Sequence, residues 1–316
     1  MTEGFAQARD PNGAEVALRL DLARGDKVIE SIGPVLRHLL TSKELSIFAD
    51  DVIATVRGMI DDIARQLLAA ALQGHSDAGR QPDAAQVESL AQLLIGQAEF
   101  LGHVHCVALE AQLSARMEAR LGLDPVLSPL LQALVGANTA EVSSAAMALL
   151  AAQARFVQNC RRMQLPLGEL PGDVLHVALQ TVEELPGSAN RELAASTIRA
   201  GYDESLSRLG LVSRLVAALG GGIMAALSIS HAGVAIFLTA LSHAAGQERD
   251  AVVLATSETQ IARLGLMLSV AGLKPVKIAE QIEALHPDVD LRHSSDAVTP
   301  DQAAMLLARP AHGVGI

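Results

Sequence analysis

The sequence predicts an all-α protein, a long helical hairpin followed by an array of short antiparallel, HEAT-like helix pairs. Three observations carry this. Half of the 316 residues are hydrophobic but only 2% are aromatic, so Ala and Leu supply the apolar character, and both are strong helix formers. No stretch alternates β-branched or aromatic residues with polar ones at the strand period of two. Apolar residues instead return every three or four positions, which places them on one face of a helix.

Taken in chain order, "MTEGFAQARDPNG" has neither a basic region nor an apolar core, so no secretion signal is expected, and Pro11 and Gly13 end it as a leader. "AEVALRLDLARGDKVIESIGPVLRHLL" reads as one or two short amphipathic helices, interrupted near Gly25 and Pro34, so residues 1–42 are leader and short helices. Ser42 is a good cap for the hairpin of residues 43–123, although no capping box follows it. The first hairpin helix has a stripe of Leu45, Phe48, Val52, Val56, Met59, Ile63 and Leu67. A polar loop rich in breakers, Gly74 to Ala85, leads to a second helix from about Ala84 to Leu121, with Val87, Leu90, Leu94, Leu101, Ala108 and Leu113 on its apolar side. Stripes at near-heptad spacing want a partner surface, so a homodimer through Val52, Met59, Leu94 and Leu101 is expected.

From Asp124 the texture changes. Pro125, Pro129, Pro166, Pro171 and Pro186 punctuate shorter segments, and residues 124–291 read as the repeat-like region. "LPLGELPGD" and "LPGSANRE" are connectors, the latter with Ser188 or Asn190 as cap. Helices are expected at about 211–229, 233–246, 248–256, 258–271 and 274–285, and residues 292–316 as a polar tail with one short helix after Pro300. "RLGLDPVLSPLLQALVG" from Arg120 and "RLGLVSRLVAALGGG" from Arg208 hint at an internal duplication, which in so Ala/Leu-rich a chain chance also produces.

No Asp, Glu, Lys or Arg occurs from Leu215 to Gln247, long enough for a span, since about 20 apolar residues suffice. His231 would sit near the middle of such a span, three consecutive glycines interrupt it, and no Trp or Tyr flanks it. Burial as two helices turning at Ser230 to Gly233 explains more, so no membrane span is expected.

Around this run "ALSISHAGVAIFLTALSHAAGQERDAVVLATSETQIARLGLMLSVAGLKPVKIAEQIEALHPDV" resembles the closing part of the alphaproteobacterial family called domain of unknown function 2336. There a helix ends in a small-residue turn, the next carries a Phe-and-Ala stripe, and an "RLGL…AGL" helix pair follows. "LAAQARFVQNCRRMQLPLGELPGDVLHVAL" is similar to long sphingomonad members of the same group. The likeness covers about Asp124 to Leu291, more loosely the hairpin, and contains no catalytic motif. It implies a helical, HEAT-like cytoplasmic protein with no established activity, and it transfers no site residues.

The residues that could carry chemistry are few. In "EFLGHVHCVALE", His103, His105 and Cys106 with Glu99 or Glu110 have metal-ligand chemistry. On a helix, however, positions i and i+2 point about 200° apart, so His103 and His105 cannot share an ion, and packing is the simpler reading. No metal and no cofactor are expected. His105 could serve as a phosphorelay histidine on a helical hairpin, but no ATP-binding domain accompanies it. "EALH", Glu283 to His286, has di-iron spacing without the second copy that such sites need. "GHSDA" lacks the final Gly and the preceding strand of a nucleophile elbow, and Gly220–Gly222 lacks the Lys of a P-loop. Cys106 and Cys160 have no disulfide or zinc spacing and read as reduced thiols.

Net charge is -11, which excludes a dedicated nucleic-acid binder. Against that background Arg155, Arg161 and Arg162 stand together at a helix end. Favourable interaction with the helix dipole explains them simply, and docking of an acidic partner is the functional alternative. The expected function is therefore a non-enzymatic interaction or regulatory module, bacterial and cytoplasmic, with a protein partner. The alternatives are a small-molecule or lipid sensor with an apolar site near Ile223, Phe237 and Leu241, and a relay protein using His105.

Overall fold

The computed structural model describes residues 11–41, 50–72, 81–185, 190–288 and 299–308. Ser42, Leu45, Phe48, the "GHSDA" stretch and Ser188 lie outside them. Every regular element among the described residues is helical, as the composition predicts. The chain divides into two compact units, one of residues 32–240 and one of residues 1–31 with 241–316. The division falls at 31/32 and 240/241, not at the 123/124 boundary that the proline pattern suggests.

The larger unit is built on α2 (Asp50–Leu72), whose Val56, Met59 and Ile63 are fully buried. Around it pack α3 (Ala84–Gly96), α4 (Ala98–Leu121), α7 (Gly172–Glu184) and α8 (Asn190–Gly201). The single long helix expected from about Ala84 to Leu121 is two: Gln97 leaves the helical region at φ -86°, ψ 109°, and its N–H closes on the Leu94 carbonyl. Gly96, a poor helix former, immediately precedes the break. α5 (Pro129–Val135) starts under a Ser128 cap, with proline in its first turn, where the missing N–H is not needed. It packs on α6 (Ala140–Arg161), and α6 packs in turn on α9 (Arg208–Leu219), which Ser207 caps.

Beyond α9 the charge-free run is not the pair of buried helices that its composition suggests. A 3-10 turn at Gly220–Gly222 leads into α10 (Ile223–Ala226), then α11 (Ile229–Ala232) and α12 (Val234–Ala245). At Gly233 the backbone turns to φ 76°, and a Cβ there would stand 2.7 Å from the Ser128 side chain, so only glycine fits. The two ends of the run differ in burial. Val234 to Leu241 are buried without exception, while Ala217, Ala218, Gly220 to Gly222, Met224 and Ala225 are exposed. By length and composition Arg208–Ala226 is helical and apolar enough to cross a membrane, at mean hydropathy 1.7, and 28% of that window is buried.

The smaller unit brings together both ends of the described chain. The first part of α1 (Pro11–Thr41) belongs to one unit with α13 (Arg249–Ala255), α14 (Ile261–Val270), α15 (Pro275–Leu285) and α16 (Pro300–Ala308). α14 is the hub, and Leu18, Leu22, Leu266, Ala303 and Leu306 form its small core. α1 starts at Pro11 and runs unbroken through Gly25 and Pro34, where the sequence suggested interruptions. Gly25 is buried and its carbonyl accepts from Gln260 Nε2 at 2.6 Å, while Asp26 pairs with Arg263. α13, α14 and α15 fall where the spacing predicts them. α16 is the expected short helix after Pro300, yet its Ala303 and Leu306 belong to the core, not to a free polar tail.

The duplication hint has no counterpart in the structure. Arg120-Leu121-Gly122-Leu123 closes α4, with Gly122 at φ 63°, whereas Arg208-Leu209-Gly210-Leu211 opens α9. A third copy, Arg263 to Leu266, lies inside α14.

Candidate functional site

The larger unit has a half-open cleft of about 200 Å3 between α2, α4 and α6. Its floor is apolar and low, made by Val52 of α2, Ala108, Ala111 and Ala115 of α4, and Phe156 and Val157 of α6. Its rim is charged: Asp51 is in the first turn of α2, Glu118 lies near the end of α4, and Arg161 is in the last turn of α6. Gln112 Nε2 points to Asp51 Oδ2 at 3.5 Å.

Tight local chemistry holds the α6 end over α2. Gln164 N–H donates to the Asn159 carbonyl and Met163 N–H to that of Cys160, the two bonds of a Schellman cap. The left-handed position of such a cap favours glycine, but here Met163 occupies it at φ 53°, in a region that costs roughly 1–2 kcal/mol for an L-residue. Gly58 makes this possible, because a Cβ there would lie 2.5 Å from Met163 Cβ. Two side chains of α2 then clamp the following segment. The Gln66 amide donates to the Leu165 carbonyl at 2.9 Å and accepts from Leu167 N–H at 3.1 Å. Asp62 Oδ2 accepts from Leu165 N–H at 3.1 Å and from Gln66 Nε2 at 2.7 Å.

Behind the cleft wall lies a buried ion pair. Arg208 donates to both oxygens of Glu110, at 2.7 and 2.9 Å, and both side chains are almost wholly excluded from solvent. The Arg208 guanidinium carbon sits 3.7 Å from the centre of the Phe156 ring, which also forms part of the cleft floor. Arg208 backbone N–H donates to Glu169 Oε2 at 2.8 Å. Burial works most strongly against the Arg208 charge, but the Glu110 carboxylate, its hydrogen bonds and Glu169 together hold the guanidinium pKa above its ordinary value. The half-buried Cys160 lines the cleft, and burial pushes its thiol up to about 12 against the lowering effect of Arg208. A thiol so poised is a poor nucleophile at neutral pH.

The residues singled out by sequence fall in several places. Arg155, Arg161 and Arg162 are all exposed, and of the three Arg161 lines the cleft. Val52, Met59, Leu94 and Leu101 are buried in the core of the larger unit, so the stripe expected to join two copies is satisfied within one chain. Phe237 and Leu241 are fully buried and Ile223 is half-buried, and none of them lines this cleft. His103 and Cys106 are buried while Glu99 is exposed, and among the described residues no three His, Cys, Asp or Glu side chains are grouped to hold a metal. His105 is also buried, its Nδ1 lacks a hydrogen-bond partner, and burial lowers its pKa to about 4. It does not stand open to solvent as a phosphoacceptor would. His286 Nε2 donates to the Thr256 carbonyl at 2.9 Å, and the ring packs there.

Sequence reasoning missed the cleft and the Arg208–Glu110 pair. The one available signal is Glu110 itself, an acid among the apolar positions of α4, with Leu113 three residues on. The cleft had none, since its walls come from three helices far apart in sequence. No family model matches the chain, and neither a curated protein nor a solved structure matches it.

Proposed function

We propose that this chain is a non-enzymatic interaction or regulatory module and that a protein partner docks at the cleft between α2, α4 and α6. The observation that carries the reading is the cleft itself: an apolar floor, a charged rim, and walls held by Met163, Gln66 and the Arg208–Glu110 pair. Strained backbone persists where the surroundings fix it, and such positions cluster at binding sites. Met163 adjoins this one. A volume of about 200 Å3 is below the roughly 300–1,000 Å3 of small-molecule sites and suits one or two side chains of a partner. The Cys160 thiol at the cleft is held protonated by its burial.

The HEAT-like, cytoplasmic bacterial setting implied by the resemblance to the domain of unknown function 2336 group supports the same reading. So does the packing of sequence neighbours α5 with α6, α7 with α8 and α14 with α15. The test is affinity capture with two baits, wild type and Ala111→Trp, which fills the cleft from its floor. A protein retained by the first and lost by the second, with unchanged thermal unfolding, supports the module. Partners indifferent to Ala111→Trp, or turnover of a substrate, would sink it. A metabolite or acyl chain leaving with the wild type alone would favour the sensor reading instead.

A further inference from the structure

We infer, resting on the docking reading above, that the occupant of the cleft is a helical segment of the partner with a carboxylate near one end and a cationic side chain two turns away. The first reason is backbone chemistry. All three walls are helices, whose backbone groups are already bonded internally, so the cleft offers an occupant side-chain packing and no ladder to join. A helix brings its own hydrogen bonds satisfied, and an apolar face laid in a groove is a recurring mode of recognition. Ala108, Ala111 and Ala115 lie three and four residues apart along one face of α4 and keep the floor low enough for such an approach.

The second reason is the layout of charge. Asp51 and Glu118 stand at one end, where α2 begins and α4 ends. Arg161 stands toward the other, because Met163, two residues later, rests on Gly58 and Leu165 is bonded to Asp62. From Asp51 to Gly58 is seven residues of α2, about 10 Å at 1.5 Å per residue. A complementary helix therefore carries an acid at i for Arg161, a base at i+7 for Asp51 and Glu118, and apolar residues at i+3 and i+4 for the floor.

Fluorescein-labelled Ala-based peptides of about 15 residues, long enough to be partly helical, test this by anisotropy. Each carries Leu at i+3 and i+4, with Glu/Lys, Lys/Lys or Glu/Glu at i and i+7. The Glu/Lys peptide is expected to bind wild type at least about threefold more tightly than either other, the scale of one rim ion pair. Arg161→Glu should move the preference to Lys/Lys, and Ala111→Trp should abolish binding of all three. Equal binding of the three peptides, lost on Ala111→Trp, would overturn the charge layout and leave the docking reading in place. No peptide binding, while Ala111→Trp still abolishes capture of a partner, would overturn the helical occupant alone. If capture also ignores Ala111→Trp, both readings fall.

Discussion

Two arginines stand on either side of one cleft wall and live in opposite environments. Arg208 lies beneath Phe156, doubly bonded to Glu110 and shut away from water, while Arg161 lies on the rim with its side chain exposed. Inside, a charge is tolerated because its partner is fixed at bonding distance and the remaining polar groups are supplied by the fold. On the rim, water solvates the charge and nothing in the fold depends on it. The inner arginine therefore belongs to folding, the proposed recognition falls to the outer one, and the difference can be pushed from both sides.

The largest effect is expected inside. Arg208→Met removes the guanidinium from a carboxylate that water cannot reach, and breaking a buried pair from one side costs about 3–5 kcal/mol. The double variant Glu110→Met with Arg208→Met removes both charges and should recover much of that loss. Urea unfolding of the four proteins of this cycle checks it. If Arg208→Met is no less stable than wild type, the pair is not the support of the wall.

The next effect comes from His105, an interior group with no ion partner. Its folded pKa, lowered to about 4, lies below the ordinary 6.5. As pH falls below 6.5 the unfolded chain takes up a proton that the folded chain refuses, so the stability this group contributes is present at neutral pH and is lost progressively down to about pH 4. The shift is worth about 3 kcal/mol at most. Comparing wild type with His105→Leu at pH 7.5 and pH 5, the wild type should lose more stability on acidification. Equal losses would show that His105 titrates normally.

How far the sequence could be read follows the same division between inside and outside. Apolar periodicity locates α2, because a stripe that must be buried leaves a period in the residues themselves. It did not distinguish Val234–Leu241, wholly buried, from Ala217–Ala225, largely exposed, since hydropathy is the same whichever way a small apolar residue faces. Gly25 and Pro34 were read as breaks, but propensity is a weak prior, and the contacts of Gly25 with Gln260 and of Asp26 with Arg263 outweigh it. The repeated "RLGL" misled for a related reason: four residues do not set their own context, and the three copies end, open and lie within helices. The stripe of Val52, Met59, Leu94 and Leu101 suggests a dimer interface, but its packing surface is the same chain, because periodicity shows that a face is buried and not against what. The Arg155–Arg161–Arg162 cluster was visible as charge, but only tertiary packing selects Arg161 for the cleft.

A middle-sized effect is expected where the wall is clamped. Gln66→Ala removes an amide that satisfies both the Leu165 carbonyl and the Leu167 N–H, in a partly buried setting. Groups left without partners cost about 1–3 kcal/mol, so the unfolding midpoint should fall by that equivalent. Because Met163 and Arg161 precede the clamped segment, peptide binding should weaken as well. Unchanged stability would mean that water replaces the amide without loss.

The smallest effect on folding, and the sharpest contrast, is expected at the rim. Arg161→Glu reverses a charge in the last turn of α6, where the helix dipole mildly favours a cation. The residue is exposed and makes no ion pair among the described residues, so the cost in stability should stay within about 0.5 kcal/mol. Its partner-binding consequence should be the reverse of that of Arg208→Met: little change in the unfolding curve, but loss of the captured partner and a changed peptide preference at equal folded fraction. Salt should flatten the wild-type peptide preference without reversing it, since exposed rim charges are screened over a Debye length of about 10 Å at 0.1 M ionic strength while the buried pair is not. If Arg161→Glu unfolds the protein as readily as Arg208→Met does, rim and interior are one structural network, and the separation of folding from recognition across this wall fails.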